Sequence, residues 1–352
     1  MVYDGPSRRS LVVDPSDGAV KEKRWAEHIV ILVVRPAESY SRRVRRAALE
    51  PFPLDGRMMR PLASAATRTR DFAVAMWRRP FTEPVAGVLA LMLLTGFGCA
   101  SPSAQFTQRA ADLGLRAEVV PGTVFQHVVL LRAERPSRTL HIYLDGDGTP
   151  WHPWGPASDP TPRNPLVLRL MALDPEPSLY LGRPCYLGFS QTPPCTSALW
   201  TTERYSETVV SSMATALSRF LEGTEVDRLV WVGYSGGGTL AMLLAPRFKR
   251  TTDLVTIAGN LDIDAWADLH GYARLAGSLN PARLPALPER IHQRHYAGGR
   301  DRVVPREVIA RGPIDPDAVI VIPTYDHICC WEAMWPTLLV DVDGVSASER
   351  RR

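Results

Sequence analysis

The apolar positions of this chain fall into short runs, and each run predicts an element. Leu229, Val230, Trp231 and Val232 are apolar without a break, as in a strand buried on both faces of a parallel sheet. Residues 128–131, 140–144, 254–259, 291–297 and 318–322 read as further strands, and 179–186 starts as a strand and leaves as a loop. The polar turn 134–137 joins the first two of these. Val209, Met213, Leu217, Phe220 and Leu221 recur at helical spacing and predict a helix over 205–221, with shorter helical runs at 165–173 and 239–244. Strands alternating with helices predict an α/β fold with a mostly parallel central sheet flanked by helices. Two stretches interrupt the alternation. Residues 150–205, rich in Pro, Trp and Tyr, and about 260–290, with Trp266, His270 and Tyr272, read as lid or insertion segments.

The pattern changes before the body. Residues 1–75 hold one strand-like run (28–34) among basic pairs such as Arg42-Arg43 and read as a disordered or misassigned extension. Residues 76–99 have the parts of an export signal: Arg78-Arg79, an apolar stretch at 85–94 that is short for a membrane span, and small residues leading to Cys99. The segment resembles a bacterial lipoprotein signal, although Gly96 stands three before the cysteine where leucine is usual. Arg78-Arg79-Pro80-Phe81 also resembles a twin-arginine signal. The resemblance implies a start at Met76, acylation of Cys99, and a membrane-anchored protein of the bacterial cell envelope. Residues 101–105 then read as a tether, with the body beginning near Phe106.

Composition adds a constraint. Of 352 residues 45% are hydrophobic and 22% charged, ordinary for a globular protein. The net charge of +4 is uneven: residues 1–75 carry 14 Lys+Arg against 9 Asp+Glu, and the remainder 27 against 28. The body therefore has no basic excess with which to hold nucleic acid. Of five cysteines, Cys185 and Cys195 flank a nine-residue loop and suit a disulfide in an exported protein. Cys329 and Cys330 read as buried small hydrophobes. No Cys/His spacing reads as a zinc site, and no cofactor is expected.

The chemistry centres on Gly233-Tyr234-Ser235-Gly236-Gly237, between the strand at 229–232 and the helical run at 239–244. Small residues allow a strained strand-to-helix turn that lifts a serine hydroxyl above the sheet, near a helix N-terminus. A serine needs a base, and the base needs an orienting acid. Asp301 follows the strand at 291–297, and His327 is the histidine that follows Asp301 in the sequence. Asp262, Asp264, Asp317 and Asp326 are alternative acids.

These motifs (Gly233-x-Ser235-x-Gly237, Gly299-x-Asp301-x-x-Val304-Pro305 and Asp326-His327) resemble the signatures of the α/β-hydrolase superfamily over about residues 125–335. The resemblance implies Ser235 as nucleophile, His327 as general base and then acid, and Asp301 as its orienting partner. It also implies an oxyanion hole from the N–H of Gly236 and that of Asp147 or Gly146, in the loop Asp145-Gly146-Asp147-Gly148. Asp145 stands where a histidine is frequent, and an acidic side chain there must point away or pair with a cation. Calcium binding is the rival reading of this loop. Tyr234, Trp151 and Trp154 are candidate substrate contacts, and Tyr186, Trp200 and Tyr205 are further aromatics for the pocket or the core.

The expected function is cleavage of a small-molecule carboxylic ester through an acyl-enzyme. The alternatives are a peptidase or acyltransferase, since Gly236-Gly237-Gly238 also resembles the serine peptidases of this fold, and a non-catalytic envelope binding protein.

Overall fold

The computed structural model describes residues 10–13, 20–23, 100–132 and 137–349. The run at 28–34, the export signal and Cys99 lie outside the described residues. Ser10–Val13 (β1) and Val20–Lys23 (β2) pair antiparallel.

Eight strands build the main sheet: Arg116–Pro121 (β3), Gln126–Arg132 (β4), Thr139–Leu144 (β5), Ser178–Leu181 (β8), Arg228–Tyr234 (β9), Thr251–Ile257 (β10), His292–Gly298 (β11) and Val319–Ile322 (β12). Trp151–His152 (β6) and Gly155–Pro156 (β7) form a small separate ribbon. The sheet order is β12-β11-β10-β9-β5-β8-β4-β3. Its pairs are parallel except those made by β4, which is antiparallel to both β8 and β3. This is the α/β-hydrolase topology. β4 and β5 are not neighbours in the sheet, because β8 lies between them.

β9 is central, and all seven of its residues are buried, as its uninterrupted apolar run requires. Its first residue, Arg228, is locked to Asp253 of β10 by a buried ion pair of 2.8 Å, at the end of the strand away from Ser235. The flanking helices are Pro102–Asp112 (α1), Leu166–Ala172 (α2), Glu207–Leu221 (α3), Gly236–Leu244 (α4), Ile263–His270 (α5), Arg306–Ile309 (α6) and Trp331–Glu349 (α7). Among the described residues, no helix is long and apolar enough to cross a membrane.

The tether expected at 101–105 is instead the start of α1. Ser101 caps it by accepting from the Ala104 N–H at 3.1 Å, and Pro102 opens it. Ser103 then donates to Asp159 from both its N–H (2.9 Å) and its hydroxyl (2.6 Å). α7 also carries a tie that matters to the site. Trp335 is buried edge-on against Tyr143 of β5, and its indole N–H donates to the Tyr143 hydroxyl at 3.1 Å. The chain beyond His327 is thereby fixed to the strand that leads into the Asp145 loop.

Candidate active site

Ser235 occupies the turn between β9 and α4 with φ 53° and ψ −121°, a conformation that costs a residue with a side chain about 1–3 kcal/mol. The surroundings enforce it. The Ser235 N–H donates to the Ile257 carbonyl (3.0 Å), and the Ser235 carbonyl accepts from Gly238 (2.9 Å) and Asn260 (3.0 Å). A Cβ on Gly233 would run into the Gly237 carbonyl, and one on Gly237 into the carbonyls of Leu144 and Asp145. Both glycines are needed because the start of α4 is pressed onto the ends of β9 and β5.

The structure brings Ser235, His327 and Asp301 together. Ser235 Oγ lies 3.0 Å from His327 Nε2, and His327 Nδ1 lies 2.8 Å from Asp301 Oδ2. Asp301 follows β11; its other oxygen accepts from the N–H groups of Val303 (2.8 Å) and Val304 (2.9 Å), so the carboxylate is held at both ends. Its side chain is fully buried, while that of His327 is 13% exposed, open to a substrate. The alternative acids are engaged elsewhere. Asp262 caps α5 and pairs with Arg311 at 3.0 Å, Asp264 pairs with Arg283 at 2.6 Å, Asp317 lies in a short helical turn before β12, and Asp326 accepts from the N–H groups of Ile328 and Cys329. The Tyr234 ring lies 5.2 Å from that of His327 and packs against it.

The loop after β5 separates the two donors that the sequence left open. The Gly146 N–H is taken by the Asp145 carboxylate at 2.8 Å, which removes Gly146 as the oxyanion donor. The Asp147 N–H has no acceptor among the described residues, and the Gly236 N–H, at the first position of α4, has no acceptor within the helix. Asp145 is buried, and Oδ2 finds no hydrogen-bond partner among the described residues. Burial pushes its carboxyl up to about 7, against the pull of the Gly146 N–H and of Arg183.

Asp147 sits in a polar cluster. Its Oδ1 accepts from the Tyr205 hydroxyl (2.5 Å) and forms an ion pair with Arg183 (2.9 Å), and its Oδ2 accepts from Arg204 (2.7 Å). Its carbonyl accepts from the Tyr186 hydroxyl at 2.9 Å. Burial alone would raise this carboxyl, but Arg204, Arg183 and the Tyr205 hydroxyl outweigh it and hold it below the usual carboxylate range. With both oxygens committed to guanidinium groups, the calcium reading of the loop does not fit. Asp147 is thus paired with two cations, whereas Asp145, the acid in the histidine's place, makes no ion pair among the described residues.

Ser235 and His327 open into a cavity of about 910 Å³. Trp151, Trp266, Tyr272, Leu275, Val303 and Ile328 make much of its apolar wall. Both stretches expected as lids thus contribute lining residues. Trp154 does not: it is 86% exposed and stacks on His152 at 5.8 Å, outside the cavity. Trp151 belongs to β6 and lines the cavity, whereas Trp154 lies in the turn between β6 and β7. Tyr205 and Trp200 are buried in the core cluster, and Tyr205 acts through its hydroxyl rather than as pocket wall.

Cys185 and Cys195 are joined by a disulfide. Cys329 and Cys330, expected as buried hydrophobes, are exposed. Arg183 and Arg204 escaped the sequence reading, because lone arginines in a Pro- and Trp-rich stretch resemble ordinary surface positions. The signal available was the second acidic residue of the oxyanion loop, Asp147, with which both arginines pair.

No protein-family model matches the chain, and no curated protein does. Among solved structures it is similar to a membrane phospholipase A described as a bacterial virulence factor, at 17% identity over 74% of this chain and 98% of that one, with a TM-score of 0.48. It is similar to an esterase from Pyrococcus furiosus, at 13% identity over 65% of this chain and 90% of that one, TM-score 0.47. It is also similar to mouse alpha/beta hydrolase domain-containing protein 10, at 13% identity over 66% and 99%, TM-score 0.44.

Proposed function

We propose that this chain is a serine hydrolase that cleaves carboxylic esters through an acyl-enzyme intermediate. The observation that carries the reading is the line of contacts Ser235 Oγ–His327 Nε2–Asp301, 3.0 and 2.8 Å long, at the mouth of the cavity. His327 takes the Ser235 proton as Oγ attacks the ester carbonyl carbon, and the carbonyl electron pair moves onto oxygen. The oxyanion is received by the N–H groups of Gly236 and Asp147. Collapse expels the alkoxide, which takes the proton from His327, and water then repeats the sequence on the acyl-serine. Asp301 holds the tautomer of His327 that leaves Nε2 as the acceptor.

The apolar wall favours an acyl or aryl group over a peptide, and the segments 150–205 and 260–290 set the choice of substrate. Acylation of Cys99 would anchor the enzyme to a membrane of the bacterial envelope. The Cys185–Cys195 disulfide suits that oxidising setting. The test is a substrate panel with the full-length protein: p-nitrophenyl esters from acetate to palmitate beside aminoacyl p-nitroanilides. Faster turnover of esters at every chain length supports the reading, and faster turnover of anilides replaces it with a peptidase.

A further inference from the structure

We infer that Arg183 and Arg204 are positioning residues for the oxyanion hole, acting through Asp147 to pin the peptide that carries one donor and leaving an excess positive charge behind it. The inference rests on the reading of Ser235 as nucleophile. Asp147 is held by its side chain and its main chain together: the carboxylate by Arg183, Arg204 and Tyr205, the carbonyl by the Tyr186 hydroxyl. Arg183 also donates to the carbonyl of Asp145 at 3.2 Å, which ties down the chain before Gly146. Arg204 is itself fixed by donating from Nε to the Thr201 carbonyl at 2.6 Å.

The cluster reaches the second donor as well. A Cβ on Gly236 would overlap Asp147 Oδ1 and the Tyr205 hydroxyl, so these atoms lie directly against Gly236. One side-chain group therefore sets the separation of the two N–H donors.

Charge supplies the second half of the argument. Two guanidinium groups, with side chains 5% and 4% exposed, face one carboxylate that is 19% exposed. A buried ionic cluster is a poor way to gain stability, since apolar packing of the same volume is often as good or better. Placed behind a site where negative charge develops, it has a use. The second guanidinium charge, which Asp147 alone does not neutralise, is oriented before the reaction and needs no rearrangement when the carbonyl electron pair moves onto oxygen.

The test uses the full-length protein with Asp147→Asn, Arg204→Gln, Arg204→Lys and Tyr205→Phe. Asp253→Asn, which cuts the buried ion pair at the far end of β9, serves as a remote control. For each, kcat and KM on p-nitrophenyl butyrate, inhibition by an aryl trifluoromethyl ketone and the thermal unfolding midpoint are measured. The ketone is chosen because its adduct with Ser235 is a tetrahedral oxyanion.

Asp147→Asn and Arg204→Gln are expected to lower kcat about 10²-fold with KM within about threefold, and to weaken the ketone in parallel. Arg204→Lys should recover part of the loss. Tyr205→Phe removes one hydrogen bond and no charge, so it keeps the test decisive where a charge variant does not fold; a fall in kcat of about fivefold is expected. Unchanged kcat and ketone affinity in folded variants overturn the inference. So does a loss that merely follows the unfolding midpoint, as in Asp253→Asn. Failure of the parent to react with a fluorophosphonate overturns the underlying serine assignment instead, and the inference with it.

Discussion

The carboxylate of Asp147 lies against the α-carbon of Gly236, so closely that Gly236 has no room for a side chain. Gly236→Ala must push Asp147, and with it the loop after β5, away from Ser235. The expected result is a fall in kcat of about 10²-fold or more, with the disulfide and the central sheet intact by circular dichroism. Wild-type kcat in this variant means that the two residues are not in contact.

Asp145 predicts an unusual pH dependence of stability. Its carboxyl is raised to about 7 by burial, above its value in the unfolded chain, so the folded protein binds the extra proton between about pH 4 and 7. Stability from this group is full below pH 4 and is lost as pH rises through 7, by an amount on the order of a few kcal/mol. Asp145→Asn keeps an acceptor for the Gly146 N–H and cannot ionise. It should raise the unfolding midpoint at pH 8 and leave it unchanged at pH 4. An equal effect at both pH values contradicts the assignment.

His127 and His295 act with the opposite sign. Burial is the main cause that pushes both imidazoles down to about 4, while in the unfolded chain they titrate near 6.5. Each therefore contributes stability that is present above pH 6.5 and is lost as pH falls toward 4. His127 is neutral between the Gly182 carbonyl (2.9 Å) and the Ser212 hydroxyl (2.8 Å). Between pH 7 and 5 the unfolding midpoint should drop, and less steeply in His127→Gln. A slope identical to that of the parent would show that His127 does not contribute.

Much of this arrangement was legible in the sequence, for identifiable reasons. Strands β5, β9 and β10 are buried on both faces, so they appear as apolar runs that no other element explains. Ser235 is bracketed by glycines whose absence of side chains is a steric necessity, and Asp301 and His327 each follow a recognisable strand. The helix α1 was not legible. Only Phe106 and Ala110 supply its apolar buried face, and its remaining attachment is polar, through Ser103 to Asp159. β3 was hidden for a related reason: it is an edge strand with few buried residues, and its sequence Arg116-Ala117-Glu118 looks like a loop. Arg183 and Arg204 were unreadable because their role depends on a carboxylate 36 and 57 residues away in sequence, a relation that no local pattern encodes.

The Cys185–Cys195 disulfide closes a short loop just beyond Arg183. In the chain-entropy account a loop of this length stabilises by about 3 kcal/mol. The double variant Cys185→Ser, Cys195→Ser should lose about that much in denaturant unfolding. Because Arg183 stands two residues before Cys185, and Tyr186 inside the loop donates to the Asp147 carbonyl, kcat should fall with it, by about tenfold or less. A stability loss with kcat unchanged would show that the loop holds Arg183 without the disulfide.

The central claim is that His327, held by Asp301, activates Ser235. The most direct measurement is the second-order rate of labelling of the full-length protein by a fluorophosphonate, with the modified residue located by peptide mass analysis. The account predicts one label per chain, on Ser235, none in Ser235→Ala, and a rate reduced by about 10³-fold or more in His327→Ala. Labelling at another residue, or a His327→Ala protein that labels at the parent's rate, contradicts it.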